Sequence, residues 1–256
     1  MTITHRKYGT GHTYYLDSVK VPGVTTILNA ALPKPALIEW AGRTTASYAV
    51  DRWEELTELA PSKRLDALNR ARFEEKDTAA KRGTEVHRLA EHLVRGEEID
   101  VPEELAGHVE SYLDFLNTWE PIPVLVESVV ANRAVGYAGA VDLVADLRGT
   151  RWLLDLKTSR SGIFGETALQ LVGYSRSEIY LDGDGNEAPL ADLGIERCGA
   201  VHVRSDGWDL RPVETSDEVW TFFRHLAWIA RRVEDVREWV GPVITPPRIV
   251  REQAAS

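Results

Sequence analysis

The spacing of apolar and polar residues changes about halfway along the chain. Residues 124–132 (VLVESVVAN), 135–147 (VGYAGAVDLVADL) and 151–159 (RWLLDLKTS) are rich in β-branched and large apolar residues. Short runs of this kind, separated by turn residues, are typical of β-strands. The middle of the chain therefore predicts three consecutive strands of one sheet.

The segments before these strands predict mostly helix. Residues 12–28 (HTYYLDSVKVPGVTTIL) predict a hairpin followed by the start of a helix, and another helix is expected near residues 37–49. Residues 51–96 have a helical pattern with a break near Ala60-Pro61, because proline cannot continue a helix. A further helix is expected from residue 101 (VPEELAGHVESYLDFL), with Pro102 suited to its first turn.

The last third of the chain predicts helix, hairpin and helix. Residues 165–181 predict a helix, and residues 197–205 and 207–214 predict a hairpin that turns at Asp206-Gly207. A long amphipathic helix is expected from Asp217 to about residue 240. Thr215 and Glu218 fit a capping box at its start, and Gly241-Pro242 would end it. The order of elements predicts an α/β or α+β domain with a mixed sheet.

Composition narrows the classes of protein. The chain has 256 residues, 43% of them hydrophobic, which is enough for one sizeable core. No apolar run approaches the roughly 18 residues of a membrane span, and the first fifteen residues hold no secretory signal, so a cytoplasmic protein is expected. The single cysteine, Cys198, excludes an intrachain disulfide and a cluster held by four cysteines of this chain. The net charge of −10 argues against bulk attraction to nucleic acid, but leaves room for a local basic groove.

The second and third strands place two carboxylates together. If Arg148-Gly149 is a two-residue hairpin loop, Asp142 lies directly opposite Asp155, with Cβ atoms about 4.5–5.5 Å apart. Lys157 then shares their face of the sheet. The other face is wholly apolar and should meet the core; it carries Val141, Leu143, Ala145, Leu147, Trp152, Leu154 and Leu156.

Two readings of this charged face stay open. Opposed carboxylates repel, and a divalent cation relieves the repulsion directly because hard cations prefer oxygen ligands. Alternatively, Asp155 and Lys157 form an ordinary ion pair on the open face of a sheet. Spacing alone does not decide between these alternatives.

Other polar residues are candidates for the same site, each with a structural alternative. Glu127 interrupts an apolar strand, as a third acid or as a polar residue at a sheet edge. His87 precedes Glu91 by one helical turn, and a lone helix histidine is more often structural. Gln170 and Tyr174 project together from the helix after the charged strand, or mark only its polar margin.

Basic residues flank these elements and could form a phosphate-facing patch in an acidic protein. They are Lys81, Arg82, Arg88, Arg160 and Arg176. Residues 182–190 (DGDGNEAPL) begin like a calcium-binding loop but lack its glycine and glutamate, so an ordinary loop is expected. The GxxxxGK[ST] pattern is absent, and no use of ATP is expected.

Four motifs, in order, resemble the RecB-like branch of the PD-(D/E)XK nuclease superfamily. They are GTEVH at 83–87, GAVDL at 139–143, LDLKTS at 154–159 and QLVGY at 170–174. Gly83, before His87, predicts a loop that becomes helical at Gly83-Thr84. The resemblance implies a restriction-endonuclease-like α/β core, with a central mixed sheet flanked by helices. It further implies one nuclease domain over residues 1–256: a strand and helical region at 1–80, the nuclease core at 81–240 and a tail at 241–256.

The resemblance also implies roles for individual residues. Asp142 and Asp155 would ligate Mg²⁺ or Mn²⁺, with His87 and the carbonyl of Leu156 as further ligands and Glu127 acting through water. Lys157 would orient the attacking water and stabilise charge on the phosphate. Gln170 and Tyr174 would support the site or contact DNA; the DNA-binding candidates among the basic residues are Arg82, Arg88 and Arg160.

The activity implied is a metal-dependent exonuclease acting on DNA ends, in recombination or replication of a bacterium or its phage. A recombinase or single-strand annealing protein is the expected partner, no iron–sulfur cluster is expected, and the oligomeric state stays open. The alternatives are a structure-specific endonuclease with the same chemistry and a non-catalytic module that binds DNA ends. A glycosidase that uses paired carboxylates is a distant further possibility, since it explains neither Lys157 nor a metal.

Overall fold

A seven-stranded mixed sheet forms the centre of the molecule, and a three-stranded sheet lies at its amino-terminal end. The computed structural model describes residues 2–8, 11–160 and 162–245. The strands in this part of the chain are β1 (Ile3–Tyr8), β2 (Gly11–Leu16), β3 (Val19–Val21), β4 (Ile122–Asn132), β5 (Tyr137–Leu147), β6 (Thr150–Lys157), β7 (Ile179–Leu181), β8 (Glu187–Pro189), β9 (Arg197–Arg204) and β10 (Gly207–Val213). The large sheet has the order β10-β9-β6-β5-β4-β7-β8, and only β6 and β9 run parallel.

Helices cover both faces of the large sheet. The α-helices of the described residues are α1 (Val24–Ala31), α2 (Pro35–Asp51), α3 (Trp53–Glu58), α4 (Pro61–Val94), α5 (Ala106–Trp119), α6 (Glu166–Ser175) and α7 (Asp217–Arg232). Short 3-10 helices occupy Glu103–Leu105, Leu190–Leu193 and Asp235–Trp239. The predicted α/β class, with a central mixed sheet flanked by helices, is confirmed.

Two apolar clusters hold the helices to the sheet. On one face, α4 and α5 pack through Val86, Leu89 and Phe115 against the side chains of β5, β6 and β9. On the other face, α1, α6 and α7 pack around Ile27 and Phe223. The charged strand therefore does not lie on an open face. Asp155 and Lys157 do form an ion pair, but the alternative of a surface pair is wrong for Asp155, which the helices bury.

The amino-terminal strands pack beside β4 and β5. Ile3, Tyr14 and Leu16 share a cluster with buried residues of those two strands, and Gly23 forms an isolated bridge to Ala138. The predicted hairpin around Asp17-Ser18 is confirmed, since β2 and β3 pair antiparallel across that turn. This region places Tyr14 close to the large sheet.

The predicted register of β5 and β6 is confirmed over most of its length. Leu147 pairs with Thr150 across the Arg148-Gly149 loop, and the ladder continues in the expected register to Leu143 and Leu154. It stops there, so Asp142 and Asp155 are not a ladder pair. Beyond this point β6 continues its parallel pairing with β9 as far as Lys157.

An irregularity at Glu127 explains why the alternation of side chains changes. Glu127 has φ of 47°, a left-handed conformation that interrupts an extended strand. The β4–β5 ladder pairs Val126 with Leu143 and Ser128 with Val141, and omits the intervening pair. Val141 consequently packs in the cluster around α1, α6 and α7, although it was expected on the face of Leu143. Asp142 lies where the alternation shifts.

Three helix boundaries differ from the sequence expectation. Residues 179–181 are strand β7, not the end of a helix, because Val130 and Ala131 of β4 offer them an edge to pair with. Gly83 lies inside the continuous helix α4, not in a loop. The α7 helix ends at Arg232, and only a 3-10 turn follows before residue 240.

Two local motifs also differ. The capping box before α7 is wrong: Ser216 is the N-cap residue, and Thr215 donates to the buried Cys198 sulfur instead. The β9–β10 turn is formed by Ser205-Asp206, one residue earlier than expected, because Gly207 already pairs with Arg204. Of the loop expected at residues 182–190, residues 182–186 form a turn held by Asp182, whereas Glu187–Pro189 is strand β8. Most of the predicted tail, residues 246–256, lies outside the described residues.

Among the described helices, none combines the length and apolarity needed to cross a membrane.

Candidate metal and catalytic site

Four elements bring polar side chains together at one end of the β5–β6 ladder. The strands β5 and β6 supply Asp142, Asp155 and Lys157, while α4 and α6 approach from opposite faces of the sheet. Of these helices, α4 contributes His87 and α6 contributes Gln170. The packing of α4 and α6 on the two faces of the sheet thus brings distant segments of the chain together.

Asp142 is held by both a strand and a helix. Its Oδ2 accepts a hydrogen bond of 2.7 Å from the backbone N–H of Leu156, so the carboxylate replaces a backbone partner where the ladder ends. The same oxygen lies 3.6 Å from Nδ1 of His87. Burial alone would raise the pKa of Asp142, but the charge and hydrogen bond of His87 and the N–H of Leu156 outweigh it and lower that pKa.

His87, Glu127 and Asp142 form a compact set of potential metal ligands. One ligand atom from each lies within 4.8 Å of the others. Glu127 itself has the left-handed backbone conformation in β4, and this conformation directs its side chain to the site. Such strained backbone persists only where the surrounding structure holds it. An imidazole and two carboxylates are a suitable donor set for a divalent cation.

Asp155 and Lys157 form the second half of the site. Nζ of Lys157 lies 2.7 Å from Oδ2 of Asp155 and donates to Oε1 of Gln170 at 2.9 Å. The amide of Gln170 in turn donates to Oδ1 of Asp155 at 2.8 Å and to the hydroxyl of Tyr174 at 3.1 Å. Gln170 and Tyr174 therefore project together, as their spacing predicts, and they hold Asp155 and Lys157 in place.

The charges of the site shift the pKa values of its members in opposite senses. Burial lowers the pKa of His87, but the adjacent Asp142, with Asp155 and Glu127 farther away, outweighs burial and raises it to about 9. Burial and the charge of Asp142 raise the pKa of Asp155 to about 6, against the opposing effect of Lys157. Without a metal, a protonated His87 and Lys157 therefore balance two of the three carboxylates.

The donor set itself fits a divalent metal ion, because an imidazole nitrogen and two carboxylate oxygens can lie within 4.8 Å of one another. Oδ2 of Asp155 is buried, and the ammonium group of Lys157 pairs with it at 2.7 Å. His87, Glu127 and Asp142 are thus the residues that could share an ion, and Asp155 as a further ligand stays a prediction. Leu156 contributes its N–H here, and its carbonyl as a ligand stays a prediction.

Two tyrosines were missed by the sequence reasoning. Tyr112 of α5 lines a narrow cavity of about 20 Å³, together with His87, Glu127 and Asp142, which is room for one water molecule. Burial and the charges of Asp142 and Glu127 raise the pKa of Tyr112. Burial and Glu127 likewise raise the pKa of Tyr14 to about 12. Neither tyrosine belongs to a recognisable motif, so only the fold reveals them.

The five basic residues expected in one patch do not assemble. Arg88 pairs with Glu85 on its own helix, and Arg176 pairs with Asp217 of α7. Lys81 is an exposed residue of α4. Arg82 and Arg160, in contrast, both lie close enough to His108 for their charges to act on it.

The fold and site together define an α/β protein with a candidate metal centre, built from an Asp–Asp–Lys set on neighbouring strands and a helix histidine. No family model and no curated protein matches the chain. Among solved structures, the chain is similar to SSO0001, with 13% identity, a TM-score of 0.36, and coverage of 82% of this chain and 74% of that chain.

Two further similarities are to LHK-Exo. In complex with dAMP, that protein has 11% identity to this chain and a TM-score of 0.38, covering 86% of this chain and 90% of that chain. The alkaline exonuclease LHK-Exo from Laribacter hongkongensis has 14% identity and a TM-score of 0.31, covering 61% of this chain and 81% of that chain. These likenesses are too distant to assign an activity, so the function is inferred from the site itself.

Proposed function

We propose that the protein is a metal-dependent deoxyribonuclease of the PD-(D/E)XK type that degrades DNA from its ends. One observation carries the proposal: the His87–Glu127–Asp142 donor set lies beside the Asp155–Lys157–Gln170 network. This combination provides for a cation and an ammonium group at one place, and both can stabilise the negative charge that develops in phosphodiester hydrolysis.

His87, Glu127, Asp142 and Asp155 would hold Mg²⁺ or Mn²⁺. When bound, such an ion lowers the pKa of water and neutralises charge on phosphate oxygens. It would also offset the excess negative charge of a site whose three carboxylates otherwise repel phosphate. The carboxylates are already ordered by the N–H of Leu156 and the amide of Gln170, so little reorganisation is needed on binding.

Lys157 supplies a positive charge from the protein, in addition to that of the metal ion. Its ammonium group is positioned by Oδ2 of Asp155 and Oε1 of Gln170. From there it orients an attacking water and stabilises the extra charge on the phosphate. Gln170 acts as a positioning residue, because it contacts both Lys157 and Asp155, and Tyr174 supports Gln170.

The proposal includes a biological setting. A RecB-like exonuclease would form one domain over residues 1–256 and act on linear DNA in recombination or replication. The setting would be the cytoplasm of a bacterium, with the gene carried by the cell or by a phage, and a recombinase or annealing protein as partner. The four ordered motifs support this setting.

End-labelled linear DNA, single- and double-stranded, tests the proposal together with covalently closed circular DNA. With Mg²⁺ or Mn²⁺, wild type should degrade linear DNA and spare closed circles, and Lys157→Ala and Asp155→Asn should each lower the rate at least about a hundredfold. Lys63→Ala, an exposed lysine at the far end of α4, is the matched control. Cleavage of closed circles would favour an endonuclease, and no cleavage of any DNA would refute the enzyme.

A further inference from the structure

Two arginines and a histidine lie near one another where β6 ends. Arg82 lies on α4, His108 lies in the first turn of α5, and Arg160 follows β6 by three residues. Burial lowers the pKa of the His108 imidazole, and the charges of Arg82 and Arg160 lower it further. The two guanidinium groups therefore form a local region of positive charge in a protein of net charge −10.

Neither arginine of this cluster is paired with a carboxylate of the described residues. Within the described residues, neither Arg82 nor Arg160 forms an ion pair or a hydrogen bond, and Nε of Arg82 and Nδ1 of His108 are buried without a hydrogen-bond partner. The arginines that do bind carboxylates are Arg43, Arg52, Arg88, Arg95, Arg133, Arg151, Arg176, Arg204 and Arg211. Buried donors are normally satisfied, so the cluster calls for an acceptor that the described residues do not supply.

Close backbone contacts fix the three groups in place. A Cβ at Gly83 would lie 3.3 Å from Oγ1 of Thr158, so α4 passes directly beside the end of β6. A Cβ at Gly107 would lie 2.5 Å from the carbonyl oxygen of Ser205, which holds the start of α5 against the β9–β10 turn. The segment that carries Arg160 is tied to β9, because its Ser159 carbonyl accepts from Nε2 of His202 at 2.8 Å.

We propose that Arg82, His108 and Arg160 form an anion-binding site for a phosphate group of the nucleic-acid substrate other than the one that is cleaved. Guanidinium groups bind phosphate oxygens through paired N–H donors, and the buried Nε of Arg82 is such a donor. The same two segments of the chain carry this site and the catalytic residues, since Arg160 follows Lys157 by three positions and Arg82 precedes His87 by five. The identity of the phosphate rests on the proposed function, while the anion site itself does not.

Inorganic phosphate tests the anion site without any catalysis. In chelator and at constant ionic strength, phosphate should raise the unfolding temperature of the full chain saturably, relative to chloride. Arg82→Gln and Arg160→Gln should each weaken the phosphate affinity at least about tenfold, because each removes one guanidinium partner. Arg43→Gln removes the same charge from an exposed pair with Glu39 on α2 and should leave the affinity unchanged.

The exposed Arg160 makes this test independent of folding, because its replacement leaves no buried group unpaired. If wild type shows no saturable response to phosphate, or if Arg43→Gln weakens the response as much as Arg160→Gln, the anion site is wrong. Saturable binding in a protein that cleaves no DNA would retain the site and reject only the nuclease.

Binding measurements with DNA identify which phosphate of the substrate occupies the site. The Lys157→Ala variant should bind DNA with a salt dependence that falls by about one phosphate contact for each arginine removed. Oligonucleotides with a 5′-phosphate, a 3′-phosphate or neither distinguish a terminal phosphate from an internal phosphodiester. A terminal phosphate predicts that Arg160→Gln abolishes the preference for one kind of end; an internal one predicts equal loss on all three. Unchanged affinity and salt slope on every substrate would overturn the proposed role.

Discussion

At the scale of single residues, the site resolves its own charge repulsion with a proton. Asp142 and Asp155 repel each other, and Lys157 alone cannot neutralise both. His87 takes up the second positive charge, since the carboxylates raise its pKa to about 9. A proton on His87 therefore occupies the place that a divalent ion would take, and the metal-free fold tolerates its buried acids.

The metal-free protein should lose stability as the pH rises. The pKa of His87 lies at 6.5 in an unfolded chain and at about 9 in the folded one. Its contribution to stability is fully present below pH 6.5 and is lost as the pH rises through about 9. In chelator, the unfolding temperature should fall across this window, and His87→Gln should flatten the decline. The exposed His225→Gln is the control, and an unchanged slope in His87→Gln would contradict the assignment.

Gln170 should affect turnover more than DNA binding. Its amide contacts Lys157 and Asp155 at once, so Gln170→Ala frees the ammonium group and leaves a buried carboxylate oxygen unpaired. We expect kcat to fall by about ten- to a hundredfold, with KM changed little. Tyr174→Phe removes only the hydroxyl that Gln170 contacts and should cost less. Equal losses of kcat in both variants, or a change confined to KM, would reject the positioning role.

At the scale of elements, two glycines explain why the motifs occur together. Gly139 of β5 leaves room for the ring of Tyr174 on α6, because a Cβ there would lie 2.5 Å from its Cε1 atom. Gly83 of α4 likewise allows the close approach of Thr158 after β6. Each glycine thus packs against a residue of another motif, and the pairs of contacts dock α6 and α4 onto the charged strands.

Gly139→Ala should therefore disturb the docking of α6. The added methyl group must displace a buried aromatic ring, and overpacking of this kind costs about 1–3 kcal/mol of stability. Urea unfolding measures the loss of stability. Activity should fall by more than this loss explains, because a displaced Tyr174 also displaces Gln170, which is hydrogen-bonded to it. Gly165→Ala, at the start of the same helix with open space around it, should change neither quantity. A wild-type midpoint in Gly139→Ala would show that the ring moves freely.

The sequence predicted what depends on local pattern. The Arg148-Gly149 turn fixes the register of β5 and β6, because both residues adopt the positive φ that such a turn needs. It could not predict that Glu127 takes a left-handed conformation, since glutamate has no preference for it, and so Val141 was assigned to the wrong face. Tyr112 and the Arg82–His108–Arg160 cluster were also beyond reach, because they depend on how α4 and α5 meet distant strands.

At the scale of the whole molecule, the protein is acidic. Forty acidic and thirty basic residues give a net charge of −10, and within the described residues nine arginines are paired with carboxylates. Long-range attraction to DNA is therefore weak. A polyanion therefore depends on local groups that overcome this field, among them the Arg82–His108–Arg160 cluster and the carboxylate site once it holds a cation.

DNA binding should accordingly depend on the metal. Ca²⁺ commonly binds oxygen ligands and would offset the negative charge of the carboxylates. DNA affinity at moderate salt should therefore be at least about tenfold higher with Ca²⁺ than with chelator. Asp142→Asn removes one repelling charge while its amide oxygen can still accept from the N–H of Leu156. This variant should bind DNA more tightly than wild type in chelator and respond less to Ca²⁺. Fluorescence anisotropy with labelled DNA measures both effects, and wild-type affinity that is the same with and without the cation would exclude a metal as the group that draws DNA to the carboxylates.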